Sequence, residues 1–554
     1  MNVEPAAIAA RLREIAIYLH LEGDRFRAKA YEKAARSVEA GAASLPRLLE
    51  QQQLTELPYI GDSIARVIEE LARRGTVSML DHLRARWPQV VVELALLPKV
   101  GVVRARALFE ALGPLDLDEL AAMCARGEIR ALKGFSKISE AKLLDAITNR
   151  HTRGERLALH EARELSQSLA AHLAPSCVRV EVAGPVRRWI EIVDRLALAV
   201  AADDRDAIEQ RLKSHPFVTG VALEGETLVA TLAKGTACDV HVCAPAGYGW
   251  CLAAATGSPD HVELLRRRAA ERGVEPGSLV TPDEPSLYRA LDLPWIPPEV
   301  RDGTDELELD LSELVELKDL TGAFHCHTTW SDGRHSVEEM AAAAKARGLG
   351  LITITDHSAA ASYAGGLDAM RLRDQAIEIE DAARATGIRV LRGTEADILA
   401  DGTIDVPPAL VGELDVIIAS VHQRYKQDAD ATTARLIAAM RQPYFKIWGH
   451  ALGRLILRRD PIPVHLDRVL DAIAESRAAI ELNGDPHRLD LAPEHVRAAA
   501  ARGIPFVLST DAHSIGNLDY AANAVAMARR ARLTRRQILN TLPPDELARR
   551  VKPS

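Results

Sequence analysis

No apolar run in the sequence approaches the ~20 residues needed to cross a bilayer. Met1–Arg11 also lacks the apolar stretch of a secretory signal, so a cytoplasmic protein is expected. Six scattered cysteines (Cys124, Cys177, Cys238, Cys243, Cys251 and Cys326) contain no Cys-x-x-Cys pair, which excludes a disulfide framework and a zinc finger. Nor is there an excess of positive charge. Across 554 residues, 69 Lys+Arg face 78 Asp+Glu for a net −9, a balance that ordinarily argues against a nucleic-acid partner. What is present is 47% hydrophobic residues beside 27% charged, enough for several packed cores and too much for a disordered chain. At roughly 100–200 residues per domain, three to five domains are expected.

The acidity is local. Residues 1–150 carry 22 Lys+Arg against 20 Asp+Glu, 151–320 carry 18 against 29, and 321–554 carry 29 of each. The first region reads as helical throughout, with apolar residues at helical spacing in Ile8–Leu21 and Arg27–Val38. One short pattern recurs there three times. Leu57-Pro58-Tyr59-Ile60-Gly61 precedes Ile64–Leu71, Leu97-Pro98-Lys99-Val100-Gly101 precedes Ala105–Leu112, and Leu132-Lys133-Gly134-Phe135-Ser136 precedes Ala141–Ile147. A tight Gly turn at a helix start exposes backbone N–H groups that accept a phosphate without reading a base. Gly61, Gly101 and Gly134 are therefore candidate DNA contacts in repeated helix-hairpin-helix units. Ser136 stands where the third repeat would carry its second glycine.

From about 151 the texture becomes mixed α/β, with strands expected at Val178–Val182, Arg195–Ala201, Val218–Leu223, Thr227–Leu232 and Ala237–Val242. A Pro-rich segment, Leu293–Glu299, leads into acidic residues around Asp302–Glu316 that read as a linker. Beyond 321, seven short apolar runs alternate with helical segments: Gly322–His327, Gly350–Thr355, Ile388–Glu395, Asp415–Val421, Tyr444–Gly449, Ala478–Leu482 and Ile504–Thr510. Regular β/α alternation implies a parallel sheet, and seven repeats suggest a barrel.

The chemistry concentrates at the ends of those runs. His325 and His327, two apart on a strand, leave the same face. Asp332 follows, then His357, Glu395, His422 and His450 at successive strand ends, and Asp511 and His513 after the seventh. Barrel enzymes place reactive groups at the C-terminal ends of their strands. Six imidazoles and three carboxylates suit Mn, Zn or Fe better than Ca or Mg, and nine ligands are too many for one ion. Two to three divalent transition metals are expected. Arg334, Arg424, Lys426, Arg454 and Arg488 lie near the same strand ends and are candidates for phosphate binding. Metal-assisted phosphoester hydrolysis is the reaction class this combination suits. Since a ligating imidazole must be neutral, activity is expected to fall below pH ~6.5.

His325-Cys326-His327, Thr329-Trp330-Ser331-Asp332-Gly333, Thr355-Asp356-His357-Ser358, Ser420-Val421-His422, Gly449-His450 and Thr510-Asp511-Ala512-His513 resemble a PHP (polymerase and histidinol phosphatase) domain. Over nearly its whole length the chain resembles bacterial family X DNA polymerases. The resemblance implies an all-α helix-hairpin-helix region at 1–150 and an α/β nucleotidyltransferase-like core, palm and thumb, at 151–300. An acidic linker at 301–320 and a distorted (β/α)7 TIM-like PHP barrel at 321–554 would follow. It implies three metals with Mn the working ion, all nine residues serving as ligands, and Asp356 as partner of a ligating imidazole. It further implies action on gapped, nicked or 3′-ended DNA in repair, by 3′–5′ exonuclease and DNA-end or abasic-site processing, in the bacterial nucleoid.

The polymerase core departs from the family. Where members carry Gly-Ser-x-Arg-Arg, this chain reads Gly184-Pro185-Val186-Arg187-Arg188, and proline offers a phosphate neither hydroxyl nor N–H. Glu191 keeps its place, but the Asp-x-Asp positions read Arg195-Leu196-Ala197. The third carboxylate survives as Asp239, and Thr256-Gly257-Ser258 matches the sugar-side motif behind Ala254-Ala255 in place of an aromatic pair. Gly184, Arg188, Asp239, Thr256, Gly257 and Ser258 are thus the remnant of a synthetic site. One carboxylate does not hold two Mg²⁺ ions, so loss of templated synthesis is expected. Gap-filling synthesis and a non-catalytic DNA-end binding role are the rival readings. The sequence leaves the oligomeric state open.

Overall fold

The structure is a computed structural model that describes residues 5–40, 45–51, 53–96, 100–113, 116–132, 134–148, 156–232, 235–423, 427–476 and 478–553. It separates into two compact units, Met1–Gly154 and Glu155–Ser554. No helix among the described residues is long and apolar enough to cross a membrane.

The first unit is helical, as its 3.6-residue periodicity requires. Helices Pro5–Leu21 and Arg25–Ala40 bury Ile8, Leu12, Ile15, Leu19, Ala34 and Val38 in one core with Ile68, Leu71 and Leu108. The three repeat turns differ in a way their shared pattern conceals. Gly61 caps helix Asp62–Arg74 in extended backbone with no side-chain cap, which leaves the first-turn N–H groups open. In this turn the left-handed residue is Tyr59 (φ 62°), whereas in the third it is Gly134 (φ 91°). There Ser136 and Ser139 close the start of helix Lys137–Thr148 by exchanging bonds, Ser139 N–H to Ser136 Oγ at 3.2 Å and Ser136 N–H to Ser139 Oγ at 2.6 Å. Gly61 and Gly134 are therefore not equivalent. Gly101 (φ 68°) opens helix Gly101–Leu112, also without a side-chain cap. Leu97, Pro98 and Lys99 lie outside the described residues.

Among the described residues the strands all lie in the second unit: β1 Leu157–Ala158, β2 Arg179–Val182, β3 Ile192–Val193, β4 Arg195–Ala201, β5 Val218–Glu224, β6 Thr227–Leu232 and β7 Ala237–Cys243, followed by seven more. β1 pairs with β3, and the others form a mixed sheet in the order β2-β4-β7-β6-β5. The barrel strands are β8 Gly322–Cys326, β9 Leu351–Ile354, β10 Arg389–Asp397, β11 Val416–Ser420, β12 Ile447–Trp448, β13 Ala479–Asn483 and β14 Phe506–Ser509. They pair in parallel and in chain order. Closure comes just past β14, where His327 N–H donates to the Ala512 carbonyl (2.8 Å) and Ala512 N–H to that of His325 (2.9 Å). Every residue of β8, β9, β11, β12, β13 and β14 is buried, as expected of parallel strands covered on both faces.

The acidic segment at 301–320 is no solvated spacer. Glu299, Asp305 and Glu313 pair with Arg529, Arg532 and Arg535 of the barrel, while Glu306, fully buried, bonds His261 Nδ1 at 2.7 Å. An apolar cluster also crosses between the two parts, joining Leu157, Val193 and Leu198 to Ile456, Leu489 and Met527. The middle third spends part of its acidity on the arginines of its own chain.

Candidate metal centre

The barrel assembles the nine expected residues into one connected cluster around Glu395. One of its carboxylate oxygens, Oε1, lies 3.3 Å from His325 Nε2, 3.1 Å from His422 Nε2 and 2.8 Å from His450 Nε2. The other, Oε2, lies 2.9 Å from His357 Nδ1 and 3.7 Å from His327 Nε2. Asp511 Oδ1 approaches His325 and His327 (3.7 and 3.5 Å), and Asp332 bridges His327, His357 and His513 (3.4–3.7 Å). Donor atoms within 4.8 Å of one another form three groups that could each hold an ion: His327–Asp332–His357–His513, His325–His327–Asp511 and His357–Glu395–His422. Most of the cluster is buried. Asp332 (36% exposed) and His513 (35%) open it to solvent on one side.

Burial there would be costly without a common partner. Both His327 nitrogens, His325 Nε2, His357 Nδ1 and Glu395 Oε1 are buried and make no hydrogen bond, although each faces other donor atoms of the cluster. Unsatisfied buried polar atoms cost about 1–3 kcal/mol each. Lone pairs converging on shared space are what divalent ions would satisfy, and the imidazole–carboxylate donor set suits transition metals.

Electrostatics divides the imidazoles. Burial opposes charge on each, but facing carboxylates prevail at His357, raised to about 10, and at His422 and His513, raised to about 9. His327 goes the other way, to about 3, because burial is joined by the positive field of His513 and His357. Glu395 and Asp511 are held well below the carboxylate range by the imidazoles around them despite complete burial.

Two carboxylates that sequence reasoning overlooked orient imidazole rings of the cluster. Glu481 Oε1 bonds His325 Nδ1 and Asp397 Oδ1 bonds His422 Nδ1, both at 2.5 Å. Asp397 sits two residues beyond Glu395 on β10, and Glu481 is a charged residue inside the apolar strand β13, the one barrel strand to which no ligand had been assigned. Either feature was a readable signal. Asp356, expected beside an imidazole, instead takes Thr328 N–H and Oγ1 (2.8 and 2.7 Å), Ser331 Oγ (2.5 Å) and Gln375 Nε2 (2.6 Å). It anchors the loop that carries Asp332.

The candidate phosphate cations fare differently. Arg334 is exposed at the mouth, its N–H bonded to the His513 carbonyl (2.9 Å). Arg488 Nε reaches Asp511 Oδ2 at 3.2 Å. Arg454 turns to Glu191 and to backbone carbonyls rather than to the cluster. Arg424 and Lys426 lie outside the described residues. At the rim Tyr363, 68% exposed, stands 6.2 Å from the His357 ring, an aromatic that the sequence did not single out.

The remnant synthetic site is filled by its own side chains. Arg195 grips Asp239 with two bonds (2.7 and 2.6 Å), and Ala197 is the register partner of Asp239 across β4–β7. Gly184 adopts φ 60° and packs so closely that a Cβ there would lie 2.9 Å from that of Ala197. Arg187 is spent on Glu284 (2.8 Å twice) and Thr256 Oγ1 (3.0 Å). Arg188 has Asp302 at 4.0 Å, and Ser258 Oγ, after Gly257, caps helix Pro259–Glu271. No metal-capable cluster occurs among the described residues of this region.

Comparison with known proteins agrees with this architecture. A family model described as a helix-hairpin-helix domain matches residues 4–77, and one described as a PHP domain matches 323–485. Over 549 residues, 96% of both chains, the protein is 34% identical to the DNA polymerase/3′-5′ exonuclease PolX of Bacillus subtilis. The chain belongs to the PHP-containing family X DNA polymerases. Shorter stretches are similar to smaller proteins. One is a probable phosphatase of Caldanaerobacter subterraneus, 29% identical over 229 residues, covering 39% of this chain and 85% of that one. Another is a probable phosphatase of a Thermoanaerobacter species, 27% identical over 232 residues, covering 39% and 89%. Asp511 and His513 lie beyond the segment that the PHP model matches.

Proposed function

We propose that the protein is a metal-dependent DNA phosphodiesterase that trims 3′ ends during repair, and that its polymerase core no longer extends primers. One contrast carries the reading. The barrel brings eight imidazole and carboxylate residues into three groups that could each hold an ion, with His450 against Glu395, while the former synthetic site holds a single carboxylate already neutralised by Arg195. The helix-hairpin-helix region and the PolX relative support DNA as substrate.

His325, His327, Asp332, His357, Glu395, His422, His450, Asp511 and His513 would hold two to three ions, with Mn the working metal. Bound there, divalent ions supply an activated water and counter-charge for the leaving oxygen. The chain does the rest. Glu481 and Asp397 fix the ring orientation of His325 and His422 through their Nδ1 atoms. Arg334, with Arg488 behind Asp511, gives the open side of the cluster a positive edge for a phosphodiester. The uncapped first turn at Gly61 offers N–H groups to a backbone phosphate further along the DNA.

A 5′-labelled primer on gapped DNA tests both halves with Mn²⁺, with and without dNTPs. Shortening from the 3′ end without extension is expected. Extension that disappears with Asp239→Ala would overturn the loss of synthesis.

Metal loading should also release protons. At pH 8 the metal-free His357, His422 and His513 are cationic, with pKa values of about 10, 9 and 9, and ligation needs them neutral. With His325 also raised well above its ordinary value, Mn²⁺ titrated calorimetrically in buffers of different ionisation enthalpy should reveal on the order of four protons released per chain, and affinity should rise between pH 7 and 9. The carboxylates thus move the pH dependence above the ~6.5 expected of free imidazole. Heats independent of buffer would contradict this.

A further inference from the structure

Glu191 belongs to the domain with the degenerate synthetic site, yet its carboxylate is spent on the barrel. Oε2 accepts from Arg530 Nη1 at 2.5 Å and Oε1 from Arg454 Nη2 at 3.2 Å. All three side chains are no more than 14% exposed. Burial pushes the Glu191 carboxyl up, but the two guanidinium groups prevail and hold it below its usual range.

The two arms do different things. Arg530 also donates to the Trp189 carbonyl (3.0 Å), so that arm joins the middle domain to the barrel at two acceptors. Arg454 continues to the loop beside the metal centre, its Nε donating to the Arg488 carbonyl (2.9 Å) and its Nη2 to that of Leu489. Leu489 is 2% exposed in the apolar cluster shared by the two parts and has φ 42°, a backbone that a branched residue keeps only when its surroundings hold it. Arg488 Nε then reaches Asp511 Oδ2. On the far side of the loop, the Asp490 carbonyl accepts Asn483 N–H (2.6 Å), and Asn483 Nδ2 donates to the same Asp511 oxygen (3.1 Å).

We propose that Glu191 is a positioning residue of the barrel's metal centre: it holds Arg454 on the 488–489 backbone and so sets Arg488 against Asp511. The degenerate core then contributes to the hydrolytic site as a structural part of it. This rests on the reading of Asp511 as a working ligand. Both guanidinium groups dock the domains, but only the Arg454 arm goes on to the 488–489 backbone that carries Arg488.

The test uses the full chain with Glu191→Gln, Arg488→Met, their combination, and Arg454→Lys, which keeps charge for Glu191 but cannot span it and two carbonyls. Amide exchange of 485–491 in the metal-free protein should accelerate about tenfold in Glu191→Gln and in Arg454→Lys, with exchange in β8–β11 unchanged. With Mn²⁺ and gapped DNA, kcat should fall about tenfold in Glu191→Gln at nearly constant KM and by a similar factor in Arg488→Met, and in kcat the combination should be no worse than the worse single change. Additive losses, or unaltered exchange at 485–491 in Arg454→Lys, would overturn the proposal. Failure of the wild-type chain to hydrolyse DNA with Mn²⁺ would instead remove the functional reading. The exchange result needs neither metal nor substrate and still decides the positioning role.

Discussion

A chain carrying His325→Ala and His327→Ala is expected to lose Mn²⁺-supported DNA hydrolysis by on the order of a thousandfold or more. Both imidazoles are buried, and both face Glu395 and Asp511. Their removal takes away His325, a positive partner that helps hold those carboxylates and Glu481 ionised, and the His327 bond to Asp511. Metal content by emission spectroscopy should drop together with activity. A graded control separates ligation from orientation. Glu481→Gln keeps every ligand but loosens His325 Nδ1, and should cost about 10–100-fold in metal affinity or activity. Wild-type rates of degradation by the double variant would end the assignment of this centre to hydrolysis.

The second large effect concerns stability. Glu284, 3% exposed, receives both guanidinium arms of Arg187 and of Arg301, and Arg301 is itself fully buried. Burial would raise its pKa, but the four donors prevail and hold it at about 2. Glu284→Gln strands two buried cations and should cost about 3–5 kcal/mol, read as a lower urea midpoint at pH 7. The linkage has a definite sign. A carboxyl whose pKa is depressed by folding contributes above its unfolded value of about 4.5, and that contribution, about 3 kcal/mol, is lost as pH falls towards 2. The gap between wild type and variant should therefore close between pH 5 and 2. Equal midpoints at pH 7 would show that the arginines are satisfied elsewhere.

Much of the metal centre was legible because strand-end ligands obey local rules. His325 and His327 alternate on one strand, and each later ligand sits where an apolar run stops, so a one-dimensional pattern reports a shared rim. The barrel's β/α alternation was legible for the same reason. The three hairpin repeats were visible as a pattern, but their differences were not, since the Ser136–Ser139 exchange and the left-handed Tyr59 are matters of backbone geometry. Arg454 looked like a phosphate ligand because sequence places it near a strand end. Its partner Glu191 lies 263 positions earlier, a separation at which no periodicity speaks.

By itself the sequence determined the donor chemistry of the cluster, the family and the β/α order of the barrel, since residue type and short spacing carry all three. Only the tertiary structure decided which of those residues share a space, and where the negative charge of the middle third goes. Net charge is a sum over the chain, whereas what DNA meets depends on which charges folding leaves exposed. Here Glu191, Glu299, Asp305 and Glu313 face Arg530, Arg529, Arg532 and Arg535, so part of the acidity that seemed to exclude DNA holds the middle domain against the barrel.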